Sequence, residues 1–315
     1  MRVIHRKLCG RASYSTKAPP ECTHLGQLKL LVSEIEFLTP HYGQQFRVIY
    51  AGAAPGVHMP ILAGMFPTMH FVLVDPVQSM IANGEYENIE VMRAFMTDTL
   101  ASSFASSPTP LLFISDVRVG APSSNESDEA QQLRIQRDMD AQRRWLEVMR
   151  PQSSILKFRL PWSVGGGTTN YPSGGIYFPV YGKQLTHEAR LIVPMDAPAI
   201  EYDNLLYERQ MAYFNSKMRP AIYPSFGGRC YDCTAFRWIV CKFLAASVGY
   251  DMGSTLDFSA IDNKCHSIER ELEQLKQRWL LRRKVGSAIV KAFVVWRNNT
   301  SASRGNQTKI IKHDI

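Results

Sequence analysis

Val48-Ile49-Tyr50-Ala51-Gly52-Ala53-Ala54-Pro55-Gly56-Val57 is an apolar run that stops abruptly in two glycines bracketing Ala-Ala-Pro. Uninterrupted β-formers suit the first strand of a parallel sheet, because such a strand is covered on both faces and need not alternate. Glycine then permits a sharp turn and a close approach of a ligand to the main chain, and a helix should follow. The spacing G-x-x-x-G departs from the dinucleotide fingerprint G-x-G-x-x-G, and no Gly-Lys-Ser/Thr follows, so neither a nicotinamide site nor a phosphate-binding loop is indicated. What remains is a turn suited to a nucleoside carrying an amino acid. Phe71-Val72-Leu73-Val74-Asp75 reads as the next strand and ends in an acid 23 positions after Gly52, where a doubly wound sheet presents a carboxylate to ribose hydroxyls. Together they favour S-adenosylmethionine, although a glycine after one strand and an acid ending the next are common in any α/β fold.

Outward from this centre, Gly26 to Leu38 places Leu28, Leu31, Val32, Ile35 and Leu38 on one stripe, an amphipathic helix with Lys29 in its first turn. Ile89 to Met92 is a short third strand. Leu111 to Asp116 is a strong fourth, with Asp116 at the carboxyl end where open α/β sheets bind ligands. Gly120 to Asn125 reads as a small-residue loop and Asp128 to Met149 as a long helix stopped before Pro151. Ser154-Ile155-Leu156-Lys157-Phe158 forms a fifth strand with Lys157 among apolar neighbours, and the glycine-rich segment Val164 to Gly182 reads as a mobile loop beside it. A sixth strand, Glu188 to Val193, begins with an acid. Helices are expected over Asn204–Ser216, Tyr231–Val248 and Ser267–Lys284. The pattern predicts a doubly wound, Rossmann-like α/β fold closed by C-terminal helices.

The chain has 315 residues and is 45% hydrophobic, enough for a substantial core. No apolar run reaches the ~18 residues that cross a bilayer, so no membrane partner is expected. Six cysteines do not make a disulfide scaffold in a chain this long and suggest a reducing compartment. Cys230-x-x-Cys233 lacks a second pair or a suitably spaced His-x-x-x-His, so buried helix thiols are favoured over zinc or redox work and no metal is expected. The net charge of +8 is uneven: residues 1–20 carry five Lys/Arg and no acid, residues 264–315 carry 12 against 4, and the middle 19 against 24. Basic ends on a mildly acidic centre suggest RNA held by its phosphates, or simply solvated faces. The first 20 residues also fit a mitochondrial transit peptide. The organisation expected is a basic arm or targeting segment (1–20), a methyltransferase domain (21–263) and a basic helical segment (264–315).

Lys29, Asp116, Lys157 and Glu188 each fall where a helix start or strand end would face the glycine turn. Methyl transfer from a sulfonium to a ribose 2′-hydroxyl needs that oxygen relieved of its proton. A lysine can do this only as the neutral amine, a form favoured by burial and a nearby like charge, which Lys29 and the sulfonium would supply. The alternative is two ordinary salt bridges.

Gly26-Gln27-Leu28-Lys29-Leu30-Leu31, the stretch Val48 to Gly56, Ile114-Ser115-Asp116-Val117-Arg118, Leu156-Lys157-Phe158-Arg159, Glu188-Ala189-Arg190-Leu191, Tyr207 to Asn215 and Tyr231-Asp232 resemble, in order, the motifs of the poxvirus cap-specific mRNA 2′-O-methyltransferase family. Relatives of that family act on kinetoplastid mRNA caps. The resemblance implies a tetrad of Lys29, Asp116, Lys157 and Glu188, with Lys157 as base. It places Gln27, Tyr50, Gly52, Gly56, Asp75, Phe95 and Asp116 around S-adenosylmethionine, and Trp162 and Glu208 around the methylated guanine of the cap. Val77 stands where the family has an arginine, and Val164 where it has a second acid; Tyr14 is a candidate for the second stacking ring. The implied partners are capped mRNA and other capping or polyadenylation proteins. The implied compartment is the nucleus for a cellular enzyme and the cytoplasm for a viral one. A ribosomal or transfer RNA 2′-O-methyltransferase and a non-catalytic RNA-binding subunit remain as alternatives.

Overall fold

The computed structural model describes residues 25–118, 127–162, 166–221, 223, 230–250 and 258–307, the last without side chains beyond 284. Tyr14, Val164, the loop 120–125 and the arm 1–20 lie outside these residues. The chain divides into two compact units, residues 1–272 and 273–315. The sheet and the candidate site described below belong to the first.

Its centre is a seven-stranded sheet in the order β3-β2-β1-β4-β5-β8-β7. The strands are β1 (Arg47–Ala51), β2 (His70–Val74), β3 (Ile89–Met92), β4 (Leu111–Ser115), β5 (Ser153–Phe158), β7 (Gly175–Tyr177) and β8 (Ala189–Pro194). The first five are parallel; β8 runs antiparallel to β5 and to β7. Val48, Ile49, Tyr50 and Ala51 are all fully buried, which is why that strand reads as a continuous apolar run. The chain winds from β1 through β2 to β3 on one side and from β4 through β5 on the other, so the carboxyl ends of β1 and β4 form the topological switch point, where open α/β sheets take ligands.

Two groups of helices cover the sheet. α1 (Gly26–Leu38) packs with α2 (Met59–Met65) and α6 (Tyr231–Val248), while α3 (Asp98–Ala105) packs on α4 (Asp128–Met149). Side-chain caps start several helices where Ser, Thr or Asp precedes the apolar pattern: Thr97 accepts from the Leu100 N–H, Ser127 from Ala130 and Asp203 from Leu206. α1 is more than amphipathic, because every residue from Leu31 to Leu38 is buried, Ser33, Glu34 and Glu36 included.

The structure departs from the sequence reading at several elements. Val164 to Gly182 is not simply a loop: it contains β6 (Thr168–Pro172) and β7, and β6 pairs antiparallel with β9 (Ala199–Asp203). β8 begins one residue after Glu188. α5 spans Asn204–Tyr213, and its last turn continues as a π-helix, Phe214–Met218. α7 runs Phe258–Gln307, well beyond Ser267–Lys284 at both ends. Among the described residues no helix is long and apolar enough to cross a membrane.

Candidate active site

Four predicted residues converge at the switch point, and a fifth joins them. Lys29 reaches in from the first turn of α1, Asp116 follows β4, Lys157 lies near the end of β5 and Glu188 immediately precedes β8. β8 starts at this edge because it runs against the parallel strands, and its register sets Arg190 opposite Lys157. Lys29 Nζ is 2.7 Å from Glu188 Oε1; Lys157 Nζ is 3.2 Å from Asp116 Oδ1 and 3.5 Å from Glu188 Oε2. Arg190 bridges both acids, 2.8 Å from Asp116 Oδ1 and 3.5 Å from Glu188 Oε1. Three cationic groups thus surround two carboxylates in a largely buried cluster.

Burial alone would push both acids up, but the cations outweigh it. Lys157, Arg190 and Lys29 together bring Asp116 down to about 2, and Lys29, Lys157 and Arg190 hold Glu188 well below the usual carboxylate range. Asp116 and Glu188 in turn raise Arg190, against its own burial. Both acids are therefore anionic throughout the physiological range.

The glycine turn leads out of β1 beside this cluster. Gly52 has φ +80°, and a Cβ there would lie 2.9 Å from the Val117 amide nitrogen. The close approach that requires glycine is thus between the ends of β1 and β4, where the Asp116 N–H donates to the Ala51 carbonyl. Gly56 has φ +70°, with the Ala53 carbonyl 3.2 Å from the place a Cβ would take. Asp75 is fastened across the turn: Oδ2 accepts from the Ala54 N–H at 3.0 Å and Oδ1 from the Val77 N–H at 2.8 Å. Each oxygen keeps a further lone pair for a hydroxyl. Phe95, after β3 on the same edge, is 69% exposed, an uncovered aromatic face. A carboxylate pinned by backbone donors across a glycine turn can accept from a pair of ligand hydroxyls.

Tyr50 and Gln27 belong to a buried polar chain that sequence reasoning missed. The Tyr50 hydroxyl donates to Glu34 Oε1 at 2.7 Å, His58 Nε2 lies 2.8 Å from Glu34 Oε2, and His58 Nδ1 lies 2.9 Å from Gln27 Oε1. Burial, followed by the Glu34 charge, raises the Tyr50 phenol well above its ordinary value, so it is a hydrogen-bond donor and not an anion. The signal for this chain is Glu34 inside a run of apolar helix positions. The signal for Arg190 is an arginine two residues after an acid, at the start of a strand that continues Leu-Ile-Val.

Trp162 and Glu208 have different surroundings. Trp162 is 45% exposed. It lies along a groove of about 570 Å³ lined also by Asp128, Glu129, Gln132, Leu133 and Pro161, and its backbone N–H donates to Gln132 Oε1 at 2.7 Å. Glu208, on α5, is buried, with Oε2 2.8 Å from His187 Nδ1.

Comparison with known proteins places the chain. The family model described as poly A polymerase regulatory subunit matches residues 4–275. A cap-specific mRNA (nucleoside-2′-O-)-methyltransferase of myxoma virus (strain Lausanne) is 25% identical over 232 residues, covering 67% of this chain and 66% of that protein. The fowlpox virus (strain NVSL) protein of the same name is 24% identical over 246 residues, covering 71% and 78%. The chain spans 66% of the length of its myxoma relative. Among solved structures, bluetongue virus VP4, described as an RNA-capping production line, aligns at 14% identity with a TM-score of 0.42 over 74% of this chain and 43% of that one. With its model matching 272 of the 315 residues, the chain belongs to the poly A polymerase regulatory subunit family.

Proposed function

We propose that the protein is an S-adenosylmethionine-dependent RNA 2′-O-methyltransferase acting on a ribose near the mRNA cap. The observation that carries this is the cluster of Lys29, Asp116, Lys157, Glu188 and Arg190 beside the glycine turn of a doubly wound sheet; the names of the viral relatives support it.

The bound donor supplies an electrophilic methyl group on a cationic sulfur. Asp75 would hold the ribose hydroxyls of that donor and Phe95 its adenine. Gln27, Gly52 and Gly56 would hold the rest of the donor. Lys157 receives the 2′-hydroxyl and removes its proton as methyl transfer proceeds. Arg190 is permanently charged, so together with Lys29 it keeps both carboxylates compensated while Lys157 changes state. Three cations against two carboxylates leave the cluster neutral once Lys157 gives up a proton. Asp116 and Glu188 hold the Lys157 amine from two directions, 3.2 and 3.5 Å away, and so fix where the oxygen must sit. Proximity of this kind accounts for much of the gain available to such a reaction.

For the cap, Trp162 offers a stacking face to an electron-poor methylated guanine. The carboxylates that share its groove are Asp128 and Glu129, whereas Glu208 is held by His187. That pairing of Glu208 favours, as a second reading, a 2′-O-methyltransferase that does not select the cap. The proposed partners are capped mRNA, with the basic ends on its phosphates, and a poly(A) polymerase, as the family name suggests. The working compartment follows the genome that encodes the chain: cytoplasm if viral, nucleus if cellular. Methyl transfer from labelled donor to short RNAs with a methylated cap, an unmethylated cap or none tests the proposal. Transfer to the 2′-oxygen of the capped RNA is expected. Equal transfer to all three would move the second reading ahead, and no transfer to any would refute both.

A further inference from the structure

Cys230-Tyr231-Asp232-Cys233 plays no part in the chemistry above. The structure sets it at the first turn of α6, with Cys230 as the N-cap residue (φ −60°, ψ 170°). An N-cap side chain and one three residues on face each other across the mouth of a helix, the relation that lets the two members of a capping box meet. Here the two sulfurs lie 3.8 Å apart. Both cysteines are half-exposed, unlike the buried Cys241 and Cys265, so the expectation of buried helix thiols does not hold for this pair. The hydrogen bond between the two thiols is the chief cause that lowers the Cys230 thiol to about 6. Burial and the Asp232 charge oppose it, and the backbone N–H groups of Cys233 and Asp232 assist it. Such a cysteine is largely thiolate at neutral pH, the form that attacks disulfides. Among the described residues no group of three or more His, Cys, Asp or Glu could hold a metal ion.

We propose that Cys230 and Cys233 form a thiol–disulfide exchange site that accepts small disulfides such as oxidised glutathione and cycles between a dithiol and an intrachain disulfide. The Cys230 thiolate attacks one sulfur of the incoming disulfide; a Cys230–glutathione bond forms, the original S–S bond breaks, and one glutathione thiolate leaves and takes up a proton. Cys233 then gives its proton to solvent and attacks Cys230 Sγ, releasing the second glutathione. Two protein thiols are oxidised and one disulfide is reduced to two thiols. The sulfurs need only close from 3.8 Å to a bond of ~2.05 Å, a distance within reach of side-chain rotation.

The site is joined to the segment that leads to Glu188. Asp232, between the two cysteines, accepts the Tyr181 N–H at 2.8 Å and pairs with Arg219 Nε at 2.9 Å. The other nitrogens of this buried arginine donate to the Lys183 and Gly182 carbonyls at 2.8 and 2.6 Å. The Tyr181 hydroxyl is 4.0 Å from Cys233 Sγ, and burial keeps it protonated. Disulfide formation draws Cys233 towards Cys230 and away from that hydroxyl, so the oxidation state of the pair is felt first at residues 181–183.

The test equilibrates the full-length protein with glutathione buffers of increasing oxidised fraction, traps free thiols by alkylation and maps the peptides by mass. The peptide holding residues 230–233 is expected to escape alkylation and to be lighter by two hydrogens, about 2 Da, in excess oxidised glutathione, and to revert with dithiothreitol. Cys233→Ser should stop at a mixed disulfide on Cys230. In the reduced wild-type protein, Cys230 alkylation should rise through pH about 6, well below the ~8.5 of a free cysteine. Two free thiols in excess oxidised glutathione, two separate glutathione adducts, or a Cys230 that titrates like a free cysteine would each overturn the proposal and leave the pair as a helix cap. Both residues are half-exposed, so Cys233→Ser is expected to fold, which circular dichroism checks.

Discussion

Replacing Asp116 by Asn removes one charge from the buried cluster at nearly constant shape, and its effect on stability is calculable from the depressed acid. Asp116 titrates near 2 in the folded protein and near ~3.9 in an unfolded chain. That depression is worth roughly 2 to 3 kcal/mol. The sign follows from the direction of the shift. A lowered carboxyl contributes stability that is present in full above its unfolded value and is lost as pH falls through its folded value. The window is therefore about pH 5 down to pH 2, with roughly half of the contribution gone by pH 3. Asn also leaves Lys157 and Arg190 short of an acceptor, but that cost is fixed and does not follow the Asp116 titration. Urea unfolding of wild type and variant between pH 3 and pH 6 separates the two effects. The wild type should be the more stable at pH 6, and its advantage should shrink by about 1 kcal/mol at pH 3. Parallel pH dependences would refute the reasoning, since they would mean that the three cations do not favour the Asp116 anion over its acid.

Lys157→Met should abolish methyl transfer while donor affinity, measured by calorimetry, stays within about threefold, because the amine acts on the hydroxyl and not on the sulfonium; activity above a few per cent of wild type excludes Lys157 as the base. Trp162→Ala should raise KM for capped RNA and erode preference for the methylated cap by about 1 to 3 kcal/mol, with donor affinity unchanged. Comparing Glu208→Gln with Asp128→Asn and Glu129→Gln in that assay identifies which acid reads the base edge, and full discrimination in all four variants would place the cap elsewhere. Gly52→Ala should lower the unfolding free energy by at least ~1 kcal/mol, because φ +80° and a Cβ 2.9 Å from the Val117 nitrogen leave an L-residue no unstrained place; a variant as stable as wild type would show that the turn relaxes.

The residues of the chain determine by themselves which segments are covered on both faces. Val48 to Ala51, Phe71 to Val74 and Leu111 to Ile114 read as buried strands because each position reports its own burial, and all three are β-strands with every one of those residues buried. The bounds of α6, Tyr231 and Val248, were also legible in the sequence. Since parallel strands share one direction, being last in a strand also says which edge a residue occupies, and this brought Asp116 and Lys157 to one place before any contact was known. Pairing is a different kind of information, set by partners far away in the chain. β6, β7 and β9 carry glycine, proline or polar residues in place of a continuous apolar run, and it is their pairing that makes them strands. Arg190 became part of the cluster through the antiparallel register of β8 on β5, which sets it across from Lys157. Glu34 found Tyr50 and His58, and Glu208 found His187, across 16, 24 and 21 positions of chain. A buried charge announces in the sequence that it needs a partner, because leaving it unpaired costs too much; only the packed structure decides which one it gets.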